Sequence, residues 1–444
     1  MQISVFEPET LPFEAKTMVN SMIASVLERL GKVSDKRARN TSTGLHNTLS
    51  LSFAMFHLKM PSLLQFRESY SVKADNLRRV YGVTDLPGDV AIRGAVDQVD
   101  TAELKECFTD QIDFLRSHGI WEQRRVLDGR FTALSSDGTQ HYCSNCKGCP
   151  QCLVKSHRNG KKAYYHQMLA TVAVCPGKQT VFPVGCEAIV NGDGAVKNDC
   201  EMNALKRLLP QVRQAFGEQE PILQLLDALY HNGPCVQALQ ASNMRFIIGA
   251  KGDHYVGVQV KRLRDKGEME TQTWEKNGRI CTVEYAQGLM LNGKYPDICV
   301  NYFSLSEVDK KTGEQKFYSD WVTDVDLDGI NMEELTAVAR SRWKVENETF
   351  NTLKNQGYNL GHSYGHGKKN LTTNFALLML IAFLVDQMAM ALDEVYQQAK
   401  KACGSFKFFW ERVRQVFDMA PAKSIEAIYR FISLRKPLDI PPLE

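Results

Sequence analysis

Apolar and polar residues change their spacing several times along this chain, and each change marks a different kind of element. Over residues 17–118 apolar positions such as Leu49, Leu51, Phe53, Met55, Phe56 and Leu58 crowd together, and the rest of the stretch reads as helix. The segment NLRRVYGVTDLPGDVAIRGAVDQVDTAELKECFTDQIDFL is broken at Gly82 and Pro87, with N-cap candidates at Asp85 and Asp100. This predicts a compact helical domain over 1–120, with the basic segment 32–39 (KVSDKRAR) on its exposed edge. From Arg124 the pattern becomes strand-like. RRVLDGRFTALSS, KAYYHQMLATVAVCP and QTVFPVGCEAIV alternate or run apolar at strand length. A helix over about 199–216 follows, with Leu205, Leu208, Leu209 and Val212 on one face. Then come the strand PILQLLDALY, a short helix opening at NGPCVQAL, and the strand RFIIGAKG. That order predicts an α/β (α+β) fold with a mixed sheet and packed helices, its first part spanning 121–252.

Residues 253–318 are rich in Gly, Asn and β-formers, with hairpin signals at Asn277-Gly278 and Asn292-Gly293, and read as a β-rich insertion. The chain returns through the strand SDWVTDV to a long helix over about 331–355, within a second core segment spanning 319–370. Helices fill the remaining 371–444. The most apolar run, 375–385 (FALLMLIAFLV), ends at Asp386 and is too short to span a bilayer, so it reads as a buried core helix.

Composition narrows the options only a little. The chain has 444 residues, 43% hydrophobic and 24% charged, an ordinary globular balance that allows several domains. A net charge of +3 gives no argument for a polyanion partner, so any such partner must be met by local basic patches. The opening MQISVFEPETLPFEAK has no basic segment followed by an apolar one, and the expectation is a soluble, cytoplasmic chain away from any membrane. Eight of the 12 cysteines, among them Cys107, Cys175 and Cys299, stand singly and read as reduced core thiols.

Three acidic residues stand out by context. Asp128 interrupts RRVLDGRF, where a buried acid is costly unless paired or metal-bound. Asp227 ends the strand ILQLLD, and Glu346 sits inside the long helix. Taken singly, each has a plain structural reading. Asp227 caps the next helix, Asp128 pairs with Arg124 or Arg125, and Glu346 forms an i,i+4 pair with Arg342 worth a few tenths of a kcal/mol. Taken together, two strand acids and a helix acid suit Mg²⁺ or Mn²⁺, which prefer oxygen ligands. A metal pair activates a water or 3′-hydroxyl in phosphodiester chemistry. Arg342, with Lys354 further round the helix, would then face phosphates.

These segments resemble DDE-type insertion-sequence transposases over most of the chain. VLDGRFTALSS resembles the family's first-strand block, LLDALYHNGPCVQAL the second, and RSRWKVENETFNTLKNQGYNLGHSYGH the third. The resemblance implies Asp128, Asp227 and Glu346 as the metal-binding catalytic triad on an RNase H-like core. It also implies a bacterial enzyme that cuts double-stranded DNA at terminal inverted repeats and joins the 3′ end to target DNA, acting as a homodimer. The family's helix signature runs Tyr, two residues, Arg, three, Glu, six, Lys. Arg342 and Glu346 fit it, Ala339 stands where the Tyr would be, and Lys354 falls one residue late. Trp343 reads as core, with the stacking role of the missing Tyr as the alternative. Two rival readings are a catalytically inactive or domesticated DNA-binding protein and a metal-dependent nuclease that never joins ends.

A second chemical signal is HYCSNCKGCPQCLVKSHRNGKK, with Cys143, Cys146, Cys149 and Cys152 at identical short spacing. Structural Zn²⁺, free or redox-active thiols, and an iron–sulfur centre all fit, and His141 or His157 is available to replace one thiolate. The basic residues that follow, including Lys155, Lys161 and Lys162, make a loop able to touch DNA. His362 and His366 lie just past the Glu346 helix in a glycine-rich stretch, which reads as a loop beside the site.

Overall fold

The structure, a computed structural model, describes residues 16–38, 41–68, 70–146, 148–191, 198–250 and 255–434. Residues 1–15 of the predicted helical domain, Arg39 of the basic segment, Lys147 of the cysteine-rich loop, Asp253 at the start of the β-rich stretch and the last ten residues lie outside it.

Six helices open the chain: α1 (Val19–Gly31), α2 (Leu45–His57), α3 (Leu63–Glu68), α4 (Tyr70–Tyr81), α5 (Asp89–Asp97) and α6 (Thr101–Ser117). Asp100 caps α6, its carboxylate accepting from Ala102 N at 3.1 Å. Asp85 caps nothing. Its peptide nitrogen and that of Thr84 donate to Asn47 Oδ1, and α5 starts four residues later behind Gly88.

The sheet follows as β1 (Thr132–Ser144), β2 (Leu153–Ser156), β3 (Lys162–Ala173), β4 (Phe182–Ile189), then α7 (Glu201–Phe216), β5 (Ile222–Leu226), α8 (Gly233–Ala241) and β6 (Met244–Gly249). β3 lies between β1 and β4, antiparallel to both, while β5 pairs parallel with β1 and β6 parallel with β5. Three antiparallel strands followed by two parallel ones on the far side of β1 make the RNase H-like core.

The β-rich stretch opens with a helix, α9 (Tyr255–Lys266), followed by β7 (Glu270–Lys276), β8 (Arg279–Asn292), β9 (Tyr295–Asp309) and β10 (Gln315–Thr323). It continues the same sheet, because β10 pairs antiparallel with both β6 and β9, giving ten strands in one sheet. The β7–β8 turn is Asn277-Gly278, both with positive φ (51° and 73°), the geometry that an Asn-Gly hairpin favours.

Beyond β10 the chain is helical through α10 (Met332–Arg340) and α11 (Asn351–Asn355). The last helices are α12 (Leu371–Leu392), α13 (Glu394–Cys403), α14 (Phe406–Met419) and α15 (Ile425–Leu434). α12 is long and apolar enough to cross a membrane, but 83% of its apolar window is buried inside the protein, between the first helices and β4. Its N-terminus is held by the buried Asp97 carboxylate, which accepts from Lys368 N, Lys369 N and Leu371 N. Asp393 binds two helix starts at once, accepting from Met18 N and Val19 N at one oxygen and from Tyr396 N at the other. The first and last helices therefore form one body against the sheet. Cys107, Cys175, Cys186, Cys235, Cys281 and Cys403 are buried as reduced thiols, whereas Cys299 and Cys200 are exposed.

Candidate active site

Two acids meet at the C-terminal edge of the core sheet because of strand register. β1 and β5 run parallel with Thr132 opposite Ile222 and Ser135 opposite Leu225. Carried two residues further, that register sets Asp137 level with Asp227. Gly138 N donates to Asp137 Oδ1 at 2.8 Å, which orients the carboxylate. Asp227 leaves β5 into a short turn, where Oδ1 accepts from Leu229 N at 2.8 Å. The local helix-capping role is thus present.

The third acid arrives on an irregular helix. The sequence periodicity predicts one long helix over 331–355. The chain is helical there, but it tightens to a 3₁₀ turn at Ser341–Trp343 and widens to a π-helical turn at Val345–Phe350 before α11. Such π turns gather at functional sites because they re-aim side chains that a regular helix would place elsewhere. Ser135 Oγ on β1 donates to the Arg342 carbonyl at 2.9 Å, docking this segment beside Asp137. Arg342 Nη2 lies 2.9 Å from Glu346 Oε1, and Nη1 lies 3.9 Å from Asp137 Oδ2. Nη1 is buried and, among the described residues, has no hydrogen-bond partner.

A fourth acid, unmarked in the sequence, completes the group. Glu201 opens α7 and presses against Gly138 so closely that a Cβ there would sit 2.1 Å from Glu201 Oε1. Tyr230 OH donates to its other oxygen at 3.4 Å. The charges feel one another. Burial pushes the Asp137 carboxyl up to about 7, the nearby Glu346 and Glu201 carboxylates add to the rise, and the Gly138 hydrogen bond and Arg342 oppose it. Burial and the Asp227 carboxylate likewise raise Glu201.

Asp128, read from the sequence as the first acid of the site, does not join it. VLDGR is a turn, with Leu127 and Asp128 both in the left-handed region at φ 56° and 57°, and β1 begins only at Thr132. The Leu127 and Asp128 peptide nitrogens donate to the Glu334 carboxylate at 2.6 and 3.2 Å, fixing the turn against α10. From Thr132 to Asp137 alone the strand advances about 16 Å, so Asp128 lies toward the opposite edge of the sheet. Both positions are Asp-Gly pairs. The apolar Val126-Leu127 before the first made it look like the strand acid, whereas the register that marks Asp137 is invisible until β1 and β5 pair.

The other predicted residues divide as follows. Trp343 is 58% exposed rather than core, and Arg342 stacks beside it with 5.6 Å from guanidinium carbon to ring centroid. Lys354 is exposed on α11. Lys155, Lys161 and Lys162 are exposed around the β2–β3 hairpin tip, about 23–30 Å beyond Asp137 along the strands. Cys143 and Cys146 are exposed, while Cys149 and Cys152 turn inward to meet His166 and His366. His141 is buried outside that group and His157 is exposed at the hairpin tip.

A family model described as "Transposase DDE domain" matches residues 141–384, more than half of the chain, and takes in Asp227 and Glu346. No curated protein matches the sequence. Among solved structures, a cryo-EM structure of piggyBac transposase in a synaptic complex with hairpin DNA is similar at 11% identity and a TM-score of 0.38. That similarity covers 94% of this chain and 80% of the other.

Proposed function

The chain belongs to the DDE transposase family, and from that premise we propose that it cuts DNA at the ends of a mobile element and joins the freed 3′-hydroxyl to target DNA. The observation that carries this reading is the level approach of Asp137 and Asp227 on neighbouring parallel strands, with Glu346 docked beside them. The donor set fits Mg²⁺ or Mn²⁺, because these carboxylates are hard oxygen ligands. A buried Asp137 whose neighbours are also acidic carries charge that a cation relieves. Asp137, Asp227 and Glu346 would hold the metal. When bound, such ions lower the pKa of water and neutralise charge on the leaving oxygen.

The remaining roles belong to the chain itself. Arg342, held between Glu346 and Asp137, brings positive charge to the place a phosphate would occupy, and Trp343 offers an exposed ring beside it. Lys354 adds a second cation further along the helix. Lys155, Lys161 and Lys162 reach flanking DNA, since they project well past the carboxylates. In the first step a water oxygen bonds to phosphorus and the P–O3′ bond breaks, leaving a 3′-hydroxyl on the element. In the second, that hydroxyl bonds to a target phosphorus and the target P–O3′ bond breaks, so bonds formed equal bonds broken. The reading places the enzyme in a bacterial cytoplasm as a homodimer, each protomer holding one inverted repeat.

The test uses duplexes that carry the terminal repeats, with Mg²⁺ present. Alanine at Asp137, Asp227 or Glu346 is expected to abolish end cleavage while end binding survives, and Asp128→Ala is expected to cut and join. Full activity in Asp137→Ala overturns the assignment. Cut ends that never join to target DNA support a nuclease instead.

A further inference from the structure

The cysteine run and the glycine-rich loop after the Glu346 helix meet away from the four carboxylates, beside Tyr142 further along β1. Cys149 and Cys152 lie before β2, His166 lies on β3, and His366 lies in the loop that leads into α12. Their ligand atoms all fall within 4.8 Å of one another. We propose that Cys149, Cys152, His166 and His366 form a structural zinc site that fastens this loop to the sheet.

The spacing carries the argument. Four ligands placed tetrahedrally around zinc, with Zn–S about 2.3 Å and Zn–N about 2.05 Å, have S···S near 3.8 Å, S···N near 3.6 Å and N···N near 3.3 Å. The two Sγ atoms lie 3.7 Å apart. The sulfur-to-Nε2 distances are 3.4 Å (Cys149 to His166), 3.3 Å (Cys152 to His166) and 3.3 Å (Cys152 to His366). The two Nε2 atoms lie 3.2 Å apart. Each of these five pairs matches one tetrahedral edge to within about 0.3 Å, and the sixth, Cys149 to His366, lies within 4.8 Å.

The surroundings hold these atoms in place. Cys149 N donates to Cys152 Sγ at 3.3 Å, a contact that favours the thiolate. The His366 ring stacks on Tyr142 at 4.5 Å and 11°, which sets the direction of its Nε2. Cys152 and His166 are 2% exposed. Two sulfurs and two imidazoles in tetrahedral array select zinc among common divalent ions. Binding releases the two thiol protons and leaves both imidazoles neutral, so the bound site carries no net charge.

The ligand set differs from the four consecutive cysteines, since Cys143 and Cys146 point to solvent. A zinc bond to His366 joins segments 200 residues apart. It anchors the chain that leaves the Glu346 helix.

The test is metal analysis of the full chain purified without a metal-chelating tag, followed by replacement with Co²⁺. About one zinc per chain is expected, and the cobalt form should show tetrahedral d–d bands with a thiolate charge-transfer band. His366→Asn and Cys152→Ser should lower zinc affinity by about tenfold or more, and Cys143→Ser with Cys146→Ser should leave it unchanged. If Cys152→Ser does not fold, His366→Asn decides, because His366 is only half-buried. Chelator should lower the melting temperature of the wild type and leave His366→Asn unmoved. Zinc lost in the Cys143/Cys146 variant but kept in His366→Asn overturns the assignment. So does a chain that takes up neither zinc nor cobalt, or one that holds iron instead.

Discussion

Replacing Asp137 by Asn should remove activity and yet make the metal-free fold more stable. In the folded chain the Asp137 carboxyl keeps its proton until about pH 7, because it is buried and faces Glu346 and Glu201, whereas its ordinary value is 3.8. Between those two values the folded state binds more protons than the unfolded one, so stability falls as pH rises. The side chain is 19% exposed, which leaves little solvent screening. The cost works out at about 2 kcal/mol at pH 5 and on the order of 4 kcal/mol at pH 8. Asparagine keeps the shape and carries no charge, so it escapes this cost. Urea denaturation in the presence of chelator should show Asp137→Asn gaining on the wild type as pH rises from 5 to 8. Saturating Mg²⁺ should then stabilise the wild type at pH 8 and leave the variant unaffected. A variant no more stable than wild type at pH 8, or one whose advantage shrinks with rising pH, would refute the electrostatic reasoning.

Gly138→Ala puts a Cβ where the Glu201 carboxylate now rests and forces that side chain away from β1. The pH dependence of the wild type should shrink in this variant, and an unchanged slope would show that Glu201 does not act on Asp137. In the helical body, Asp386 and Lys59 are both fully buried and paired, and Tyr358 OH donates to the same Asp386 oxygen. Burial lowers Lys59 to about 8 and raises Asp386, so desolvation outweighs their attraction in each. Asp386→Ala should cost about 3–5 kcal/mol in denaturant titrations, less above pH 8 where Lys59 sheds its proton. A loss below 1 kcal/mol would deny the pair its structural role.

Much of the fold could be read from local pattern. KAYYHQMLATVAVCP and QTVFPVGCEAIV became β3 and β4, the helix with Leu205 and Leu209 on one face became α7, and Asn277-Gly278 made its hairpin. The family helix was legible too, since Arg342 and Glu346 stand one turn apart in any helical pitch. What escaped depended on long-range pairing. Asp137 is marked only by its register against Asp227, and its Asp-Gly looks no different from that of Asp128. Glu201 is an ordinary first-turn acid until Gly138 lets it touch β1. The π turn beneath Glu346 leaves no trace in apolar spacing. Cysteine spacing pointed to a soft-metal site, but two of the ligands in the proposed set come from His166 and His366, which only the folded sheet brings to the loop. The β-rich stretch read as an insertion because its composition shifts, and its strands lengthen the sheet by pairing with β10, whose Trp321, Val322 and Thr323 pair with β6.

The central claim is that Asp137, and not Asp128, stands with Asp227 and Glu346 around the metal. The most direct measurement is a crystal structure of the chain grown with Mn²⁺, examined for anomalous scattering. The account predicts peaks lying about 2.1 Å from carboxylate oxygens of Asp137, Asp227 and Glu346, with none near the Asp128 turn. Manganese bound at Asp128, or absent from the Asp137–Asp227 pair while that pair is well ordered, would contradict it.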